Sequence, residues 1–166
     1  MIAAFAVLAF VTLERLAELW LARRNTRALL RRGAVEFGAG HYPLIVLMHA
    51  AWLIGLWALA WSRPVDLAWL AVFALLQLGR LWVLASLGPR WTTRILVLPE
   101  APMVAAGPYK YLSHPNYAVV AGEIAVLPLV FGLVCFALVF SMLNAAILFI
   151  RIRAENVALG PLASRR

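Results

Sequence analysis

Charged residues, cysteines and metal-ligand patterns are all scarce in this chain. Asp, Glu, Lys and Arg make up 13% of its 166 residues, about half the share that is usual in soluble domains. The single cysteine, Cys135, has no partner for a disulfide within the chain. No His, Cys or carboxylate pattern has ligand spacing, so we expect no metal site. With 65% hydrophobic residues, the chain is predicted to be a small membrane protein.

Long apolar stretches predict an all-α integral membrane fold. A helix needs about 20 residues to cross a hydrocarbon core of about 30 Å, and three predicted helices, 2–23, 42–61 and 65–87, have about this length. The stretch 116–152 would rise about 55 Å as one helix, which is too long for one crossing. We therefore divide it into a hairpin, 116–131 and 134–157, that reverses near Phe131-Gly132. This gives about five transmembrane helices.

We expect one membrane-embedded domain over residues 1–166. Residues 1–88 form a three-helix N-terminal part, and residues 89–166 form a second part that contains the helical hairpin.

The placement of the basic residues predicts the orientation. The net charge is +8, and arginines follow the first, third and last apolar stretches, whereas Arg63 stands alone in a connection on the other side. This positive-inside pattern places the N-terminus outside and the C-terminus in the cytoplasm. It also favours a role at the membrane over nucleic-acid binding. The N-terminus lacks a basic segment and a cleavage pattern, so we expect the first helix to stay in the mature protein.

Several ionisable residues fall inside the predicted helices. The first and third helices contain Glu14, Arg15, Glu18, Gln77 and Arg80. Such groups are costly in a membrane and usually face a partner or a cavity. Glu14 and Arg80 lie at similar depths, which predicts an ion pair that serves either structure or binding. Glu123 is open to both roles as well, and His49 is expected to form a hydrogen bond within the bundle.

Two polar clusters fall at the same predicted boundary. Segment 107–117 precedes the fourth helix, and Arg151 and Glu155 follow the last apolar stretch, four residues apart on one helical face. Gly-Pro-Tyr and His-Pro-Asn-Tyr alone could be loop punctuation. However, His114 and Asn116 flank a proline at a helix start, where free N–H groups receive anions. Together the clusters predict a site for a zwitterionic or cationic ligand that contains a base.

These motifs resemble a known family. Gly107-Pro-Tyr-Lys-Tyr, His114-Pro-Asn-Tyr117 and Arg151-x-x-x-Glu155 are similar to the C-terminal signature of the isoprenylcysteine carboxyl methyltransferase family, over roughly residues 75 to 160. Trp91-Thr92-Thr93-Arg94 and the positions of Glu123 and Pro128 resemble the bacterial branch. Members of that branch are linked to O-methylation of long-chain polyketides such as alkylpyrones and alkylresorcinols. The chain has Ser113 where the family commonly has Arg, and Asn156 where a second Glu is common.

The resemblance implies a membrane-bound O-methyltransferase that uses S-adenosylmethionine on the cytoplasmic side of the bacterial inner membrane. Its cofactor pocket would lie between the loop before helix 4 and the C-terminal helix, and a lipophilic or prenylated acceptor would enter from the bilayer. The implied cofactor contacts are Gly107, Pro108, Tyr109, His114, Asn116, Tyr117, Arg151 and Glu155. The implied catalytic residues are Arg151, which serves the cofactor or the substrate oxygen, and His114 and Glu123, which are candidate bases. The absence of a Gly-x-Gly-x-x-Gly loop after a strand argues against a Rossmann-type methyltransferase.

Three functions remain open at this point. A polyketide-type hydroxyl is the first hypothesis for the acceptor, and a prenylated cysteine carboxylate, which needs no base, is the alternative. The rival of another class is a small transporter or a non-catalytic membrane subunit. A transporter would show polar residues at mid-bilayer or broken helices, whereas the polar motifs here cluster at one boundary.

Overall fold

The computed structural model describes residues 1–99, 101–102 and 104–163. Its five helices are α1 (Ile2–Arg31), α2 (Tyr42–Ala60), α3 (Leu67–Leu87), α4 (Pro115–Val130) and α5 (Val134–Ala163). Two short strands, β1 (Val35–Phe37) and β2 (Ile95–Val97), lie in the connections. The predicted all-α fold is therefore confirmed, whereas the crossing of the membrane by all five helices stays a prediction. The strands were not predicted.

Local sequence explains where the helices begin and reverse. Asp66 caps α3, because its carboxylate accepts hydrogen bonds from the backbone N–H groups of Ala68 and Trp69 at 2.8 and 3.1 Å. The α4–α5 hairpin turns at Phe131-Gly132, as predicted, and Gly132 has the positive φ of 69° that glycine readily adopts.

Helix α1 is one continuous helix, longer than the predicted 2–23. No glycine or proline interrupts residues 24–31, and the helix ends before Gly33, which has φ 85°. Asn25 lies in this added part and is buried. Its side-chain amide donates to the carbonyl oxygen of Trp91 at 2.9 Å. The extension therefore holds the connection that follows α3.

The connections show that the helices alternate in direction. Strands β1 and β2 pair antiparallel, with Val35 opposite Val97, so the α1–α2 and α3–α4 connections share one end of the bundle. At the other end, the backbone N–H of Asp66 donates to the carbonyl oxygen of Val130 at 2.8 Å. The connections after α1 and α3, in which arginines cluster, thus lie at one end of the bundle, and Arg63 lies at the other.

The exterior of the bundle is apolar. Within the described ranges, three helical segments are long and apolar enough to cross a membrane, namely Ala39–Ala60, Leu67–Arg90 and Val134–Gly160, and Pro115–Val130 is a shorter apolar helix. The core contains Leu8, Trp52 and Leu127. Large apolar side chains are also exposed, including Leu13 and Trp20 of α1. A surface of this kind matches lipid, as expected for an integral membrane protein.

A buried ionic cluster joins α1, α3 and α4. Gly122 allows close contact between α4 and Leu76 of α3, and one turn further along α3, Arg80 meets Glu123. The Arg80 guanidinium donates to both carboxylate oxygens of Glu123, and Arg15 Nη2 donates to the same carboxylate at 2.8 Å. The cluster thus holds three helices together.

The predicted Glu14–Arg80 ion pair is wrong. Arg80 pairs with Glu123 and with Glu18, whose carboxylate oxygen lies 3.3 Å from Arg80 Nε. The nearest cationic group to Glu14 is instead Arg15, with Glu14 Oε2 3.9 Å from Arg15 Nη2. Depth along the helices was not sufficient to choose the partner, because Glu14 and Glu18 lie one turn apart.

Candidate functional site

A cavity of about 230 Å³ opens at the end of the bundle that carries the two strands. Its wall combines the connection after α3, the start of α4 and the C-terminal half of α5. Six of the residues implied by the family resemblance line it, namely Tyr109, His114, Asn116, Tyr117, Arg151 and Glu155. The two polar clusters, which are far apart in sequence, therefore share one cavity.

Gly107 and Pro108 do not line this cavity. Gly107 has φ 59°, and a Cβ atom at this position would lie 2.0 Å from Ser86 Oγ of α3. Pro108 is buried in the short 3₁₀ turn Gly107–Lys110. The structure thus uses both residues to pack the turn against α3, which positions Tyr109 in the cavity wall.

The hydroxyl group of Tyr117 lies at the centre of a polar network. Arg151 Nε donates to this hydroxyl at 2.9 Å, and the hydroxyl donates to the Glu155 carboxylate. Arg151 Nη2 also donates to the carbonyl oxygen of Thr93, at 2.8 Å. Tyr117 therefore bridges Arg151 and Glu155, and both charged groups are held at the cavity wall.

His114 covers one face of this network. Its ring stacks on Tyr117, with centroids 5.4 Å apart and planes inclined by 13°. Nδ1 lies 3.4 Å from the Glu155 carboxylate, and Nε2 donates to Asn156 Oδ1 at 3.2 Å. Asn156, which departs from the family pattern, thus supports His114.

Two buried polar atoms in the cavity wall have no hydrogen-bond partner among the described residues. They are Asn116 Oδ1, an acceptor, and Trp91 Nε1, a donor. Buried polar groups of this kind usually have a partner, so the wall is suited to a polar ligand. Burial, with a smaller contribution from the Glu155 carboxylate, raises the pKa of Tyr109 to about 12. Tyr109 therefore offers the ligand a neutral hydroxyl group.

A second cavity, of about 300 Å³, lies beside the first. The two share a stretch of wall that includes Asn116, Tyr117 and Arg151. Most of the other residues that line the second cavity are apolar: Leu16, Leu19, Ile45, Val46, Ala50, Trp52, Leu53, Val120 and Leu148. We call the first the polar cavity because it holds the two polar clusters, and apolar side chains such as Leu87 and Val97 line it as well. We call the second the apolar cavity, and the wall residues that the two share form the junction.

Sequence reasoning missed the contribution of α2 to this second cavity. Tyr42, Ile45, Val46 and His49 line it, and their spacing of i, i+3, i+4 and i+7 is the signal that would have placed them on one helical face. The hydroxyl group of Tyr42 forms a hydrogen bond with Thr93 Oγ1 at 3.0 Å. His49 does form the hydrogen bond expected within the bundle, from Nδ1 to the Ile45 carbonyl oxygen at 2.9 Å.

Glu123, one of the predicted catalytic residues, lies in the ionic cluster and in the wall of neither cavity. It is 2% exposed, and its oxygens accept hydrogen bonds from Arg15, Gln77 and Arg80. The structure therefore separates it from the site at which the two polar clusters meet.

Comparison with known proteins is consistent with this architecture. Residues 69–161, more than half of the chain, match the isoprenylcysteine carboxyl methyltransferase (ICMT) family. The uncharacterized protein YpbQ of Bacillus subtilis (strain 168) is 41% identical over 158 residues, which cover 92% of this chain and 94% of that relative. An uncharacterized protein of Haemophilus influenzae is 27% identical over 163 residues, which cover 89% and 90% of the two chains. No solved structure matches.

Proposed function

Because the chain belongs to the isoprenylcysteine carboxyl methyltransferase family, we propose that it is a membrane-bound, S-adenosylmethionine-dependent O-methyltransferase with a lipophilic acceptor. The single observation that carries this proposal is the junction of a polar and an apolar cavity at Asn116, Tyr117 and Arg151. Such a junction lets a water-soluble methyl donor and a lipid meet.

The residues of the polar cavity fit S-adenosylmethionine. The Glu155 carboxylate suits its ammonium group, and the rings of Tyr109 and Tyr117 suit its cationic sulfur. The unpartnered atoms Asn116 Oδ1 and Trp91 Nε1 match the amino group and ring nitrogens of its base. When bound, this cofactor supplies an electrophilic methyl group on a sulfonium.

The protein's own contribution is alignment. Methyl transfer is an in-line displacement, so its rate depends on holding the acceptor oxygen in place and excluding water. Arg151 is suited to this task because Nε and Nη2 are bound by Tyr117 and Thr93, whereas Nη1 has no hydrogen-bond partner in the described part of the chain. We assign Nη1 to the acceptor oxygen.

The other two predicted catalytic residues take different roles in this proposal. His114 lines the polar cavity but not the apolar one, and it contacts Asn156 and Glu155. We therefore assign it to shaping the cofactor site. Glu123 is enclosed by Arg15, Gln77 and Arg80, so we assign it to holding the bundle together.

The acceptor enters the apolar cavity from the bilayer. A long-chain polyketide-type hydroxyl is the first choice, and the carboxylate of a prenylated cysteine, which the family description names, is the second. From the arginine distribution we infer that the site faces the cytoplasm. In this proposal all five helices span a bacterial inner membrane and the N-terminus lies outside. A non-catalytic subunit or a transporter has less support, because neither accounts for the two-cavity junction.

Transfer of a labelled methyl group tests the proposal. The protein, in lipid nanodiscs with methyl-labelled S-adenosylmethionine, is supplied with a long-chain alkylphenol or with N-acetyl-S-farnesylcysteine. We expect label in one acceptor, loss of transfer in Arg151→Gln and normal transfer in Arg63→Gln, a matched change at the opposite end of the bundle. No transfer to either acceptor or to total bacterial lipid would contradict the proposal.

A further inference from the structure

His49 places a hydrogen-bond acceptor in the apolar cavity. Its Nδ1 lies 2.9 Å from the Ile45 carbonyl oxygen, and because a carbonyl oxygen can only accept, Nδ1 carries the proton. A neutral imidazole protonated on Nδ1 has a lone pair on Nε2. Among the described residues, none forms a hydrogen bond with Nε2.

Several of the other polar groups around this part of the cavity already have partners, whereas Arg15 Nε, Glu18 Oε1 and Trp52 Nε1 are buried without a hydrogen-bond partner among the described residues. Arg15 donates to Glu18 and Glu123, and Arg80 donates to Glu123. The hydroxyl group of Thr12 donates to the Leu8 carbonyl oxygen and accepts from the indole N–H of Trp57. Together with Glu18 Oε1, the lone pair of His49 is thus an acceptor that is left for whatever fills the cavity.

The position of His49 places this lone pair on the path of a molecule that extends from the junction. Tyr42 reaches Thr93 beside Arg151, and His49 lies two turns further along the same face of α2, about 10 Å from Tyr42 along the helix axis. Because the imidazole bonds to the Ile45 carbonyl, it leans back over the preceding turn, towards the junction. An acceptor that reaches into the apolar cavity therefore passes Nε2.

We propose that His49 determines acceptor specificity by accepting a hydrogen bond from a hydroxyl group of the lipid other than the one that is methylated. The acceptor is then a lipophilic molecule with at least two hydroxyl groups. The inference rests on the proposed function and adds the substrate class that the site selects.

His49 belongs to the part of the chain that the family match does not cover. The match spans residues 69–161, whereas α1 and α2, which supply most of the apolar cavity, precede it. The cofactor half of the site is therefore shared with the family, and the acceptor half belongs to the N-terminal helices.

Two ligands that differ by one hydroxyl group test the proposal. An alkylresorcinol and the alkylphenol of the same chain length are titrated into the protein in nanodiscs, and binding is followed by the fluorescence of Trp52 and Trp91, which line the cavity. We expect the resorcinol to bind about tenfold more tightly, which corresponds to one net hydrogen bond. His49→Phe should abolish this preference and leave the Kd values of the alkylphenol and of S-adenosylmethionine unchanged.

A resorcinol preference that persists in His49→Phe, or a wild type that does not distinguish the two ligands, would overturn the proposal. If His49→Phe does not fold, nitrogen NMR of the three imidazoles in the wild type replaces it, with His41→Gln and His114→Gln for assignment. The His49 Nε2 signal should move with the resorcinol and stay in place with the alkylphenol, and a signal unmoved by both overturns the proposal. Loss of S-adenosylmethionine binding alone, with the resorcinol preference intact, would instead count against the proposed function.

Discussion

Removing the hydroxyl group of Tyr117 should weaken both the fold and the cofactor site. Tyr117→Phe keeps the ring that stacks on His114 but leaves Arg151 Nε, in a residue only 7% exposed, without its acceptor. An unsatisfied buried donor costs about 1–3 kcal/mol. Water can replace the donor lost by Glu155, whose side chain is 26% exposed. We therefore expect the free energy of unfolding to fall by about 1–3 kcal/mol and cofactor affinity to fall about tenfold or more.

Thermal unfolding in detergent, with and without S-adenosylmethionine, measures both effects. Tyr111→Phe is the matched control, because Tyr111 is 77% exposed and the same chemical change there should alter neither value. If Tyr117→Phe binds the cofactor within about twofold of the wild type, the bridging role of this hydroxyl is refuted.

Three further predictions follow from the packing and the charges. Glu123→Gln removes the buried charge to which Arg15 and Arg80 both donate and leaves Arg80 paired with Glu18 alone, so chemical denaturation should show a loss of up to about 3–5 kcal/mol. The cofactor Kd of the folded protein should be unchanged, and equal stability would contradict the structural role. Gly107→Ala should lower Tm because its Cβ would clash with Ser86, and a Tm equal to that of the wild type would count against this packing. The pKa of Tyr109 is raised to about 12 in the folded protein, above its ordinary value of about 10. The neutral hydroxyl therefore contributes stability that is present below pH about 10 and is lost as the pH rises from about 10 to about 12. A difference in Tm between the wild type and Tyr109→Phe that stays constant over this window would exclude the effect.

The sequence predicted the features that depend on local chemistry. The apolar stretch 116–152 is too long for one bilayer crossing, which predicted a hairpin with its turn at Phe131-Gly132. The structure turns there, and Gly132 has a positive φ. The motifs around His114 and Arg151 predicted two clusters at one end of the bundle, and the structure joins them through Tyr117.

Features that depend on how helices pack were not predictable in the same way. The β1–β2 pairing joins three-residue strands from connections that are far apart in sequence, and no local pattern specifies such a pair. Arg80 pairs with Glu123 and not with Glu14 because Gly122 lets α3 and α4 approach closely. The contribution of α2 to the second cavity was missed because Tyr42 and His49 share a helical face of an apolar helix, and two polar residues seven apart do not by themselves indicate a cavity.

Calorimetric titration with S-adenosylmethionine tests the central claim most directly. We compare the lipid-supplemented wild type with Glu155→Gln, in the polar cavity, and Glu14→Gln, in the wall of neither cavity. We predict micromolar binding by the wild type and by Glu14→Gln, and its loss in Glu155→Gln. Absence of binding by a well-folded wild type, or equal binding by all three proteins, would contradict the assignment of this cavity to the cofactor.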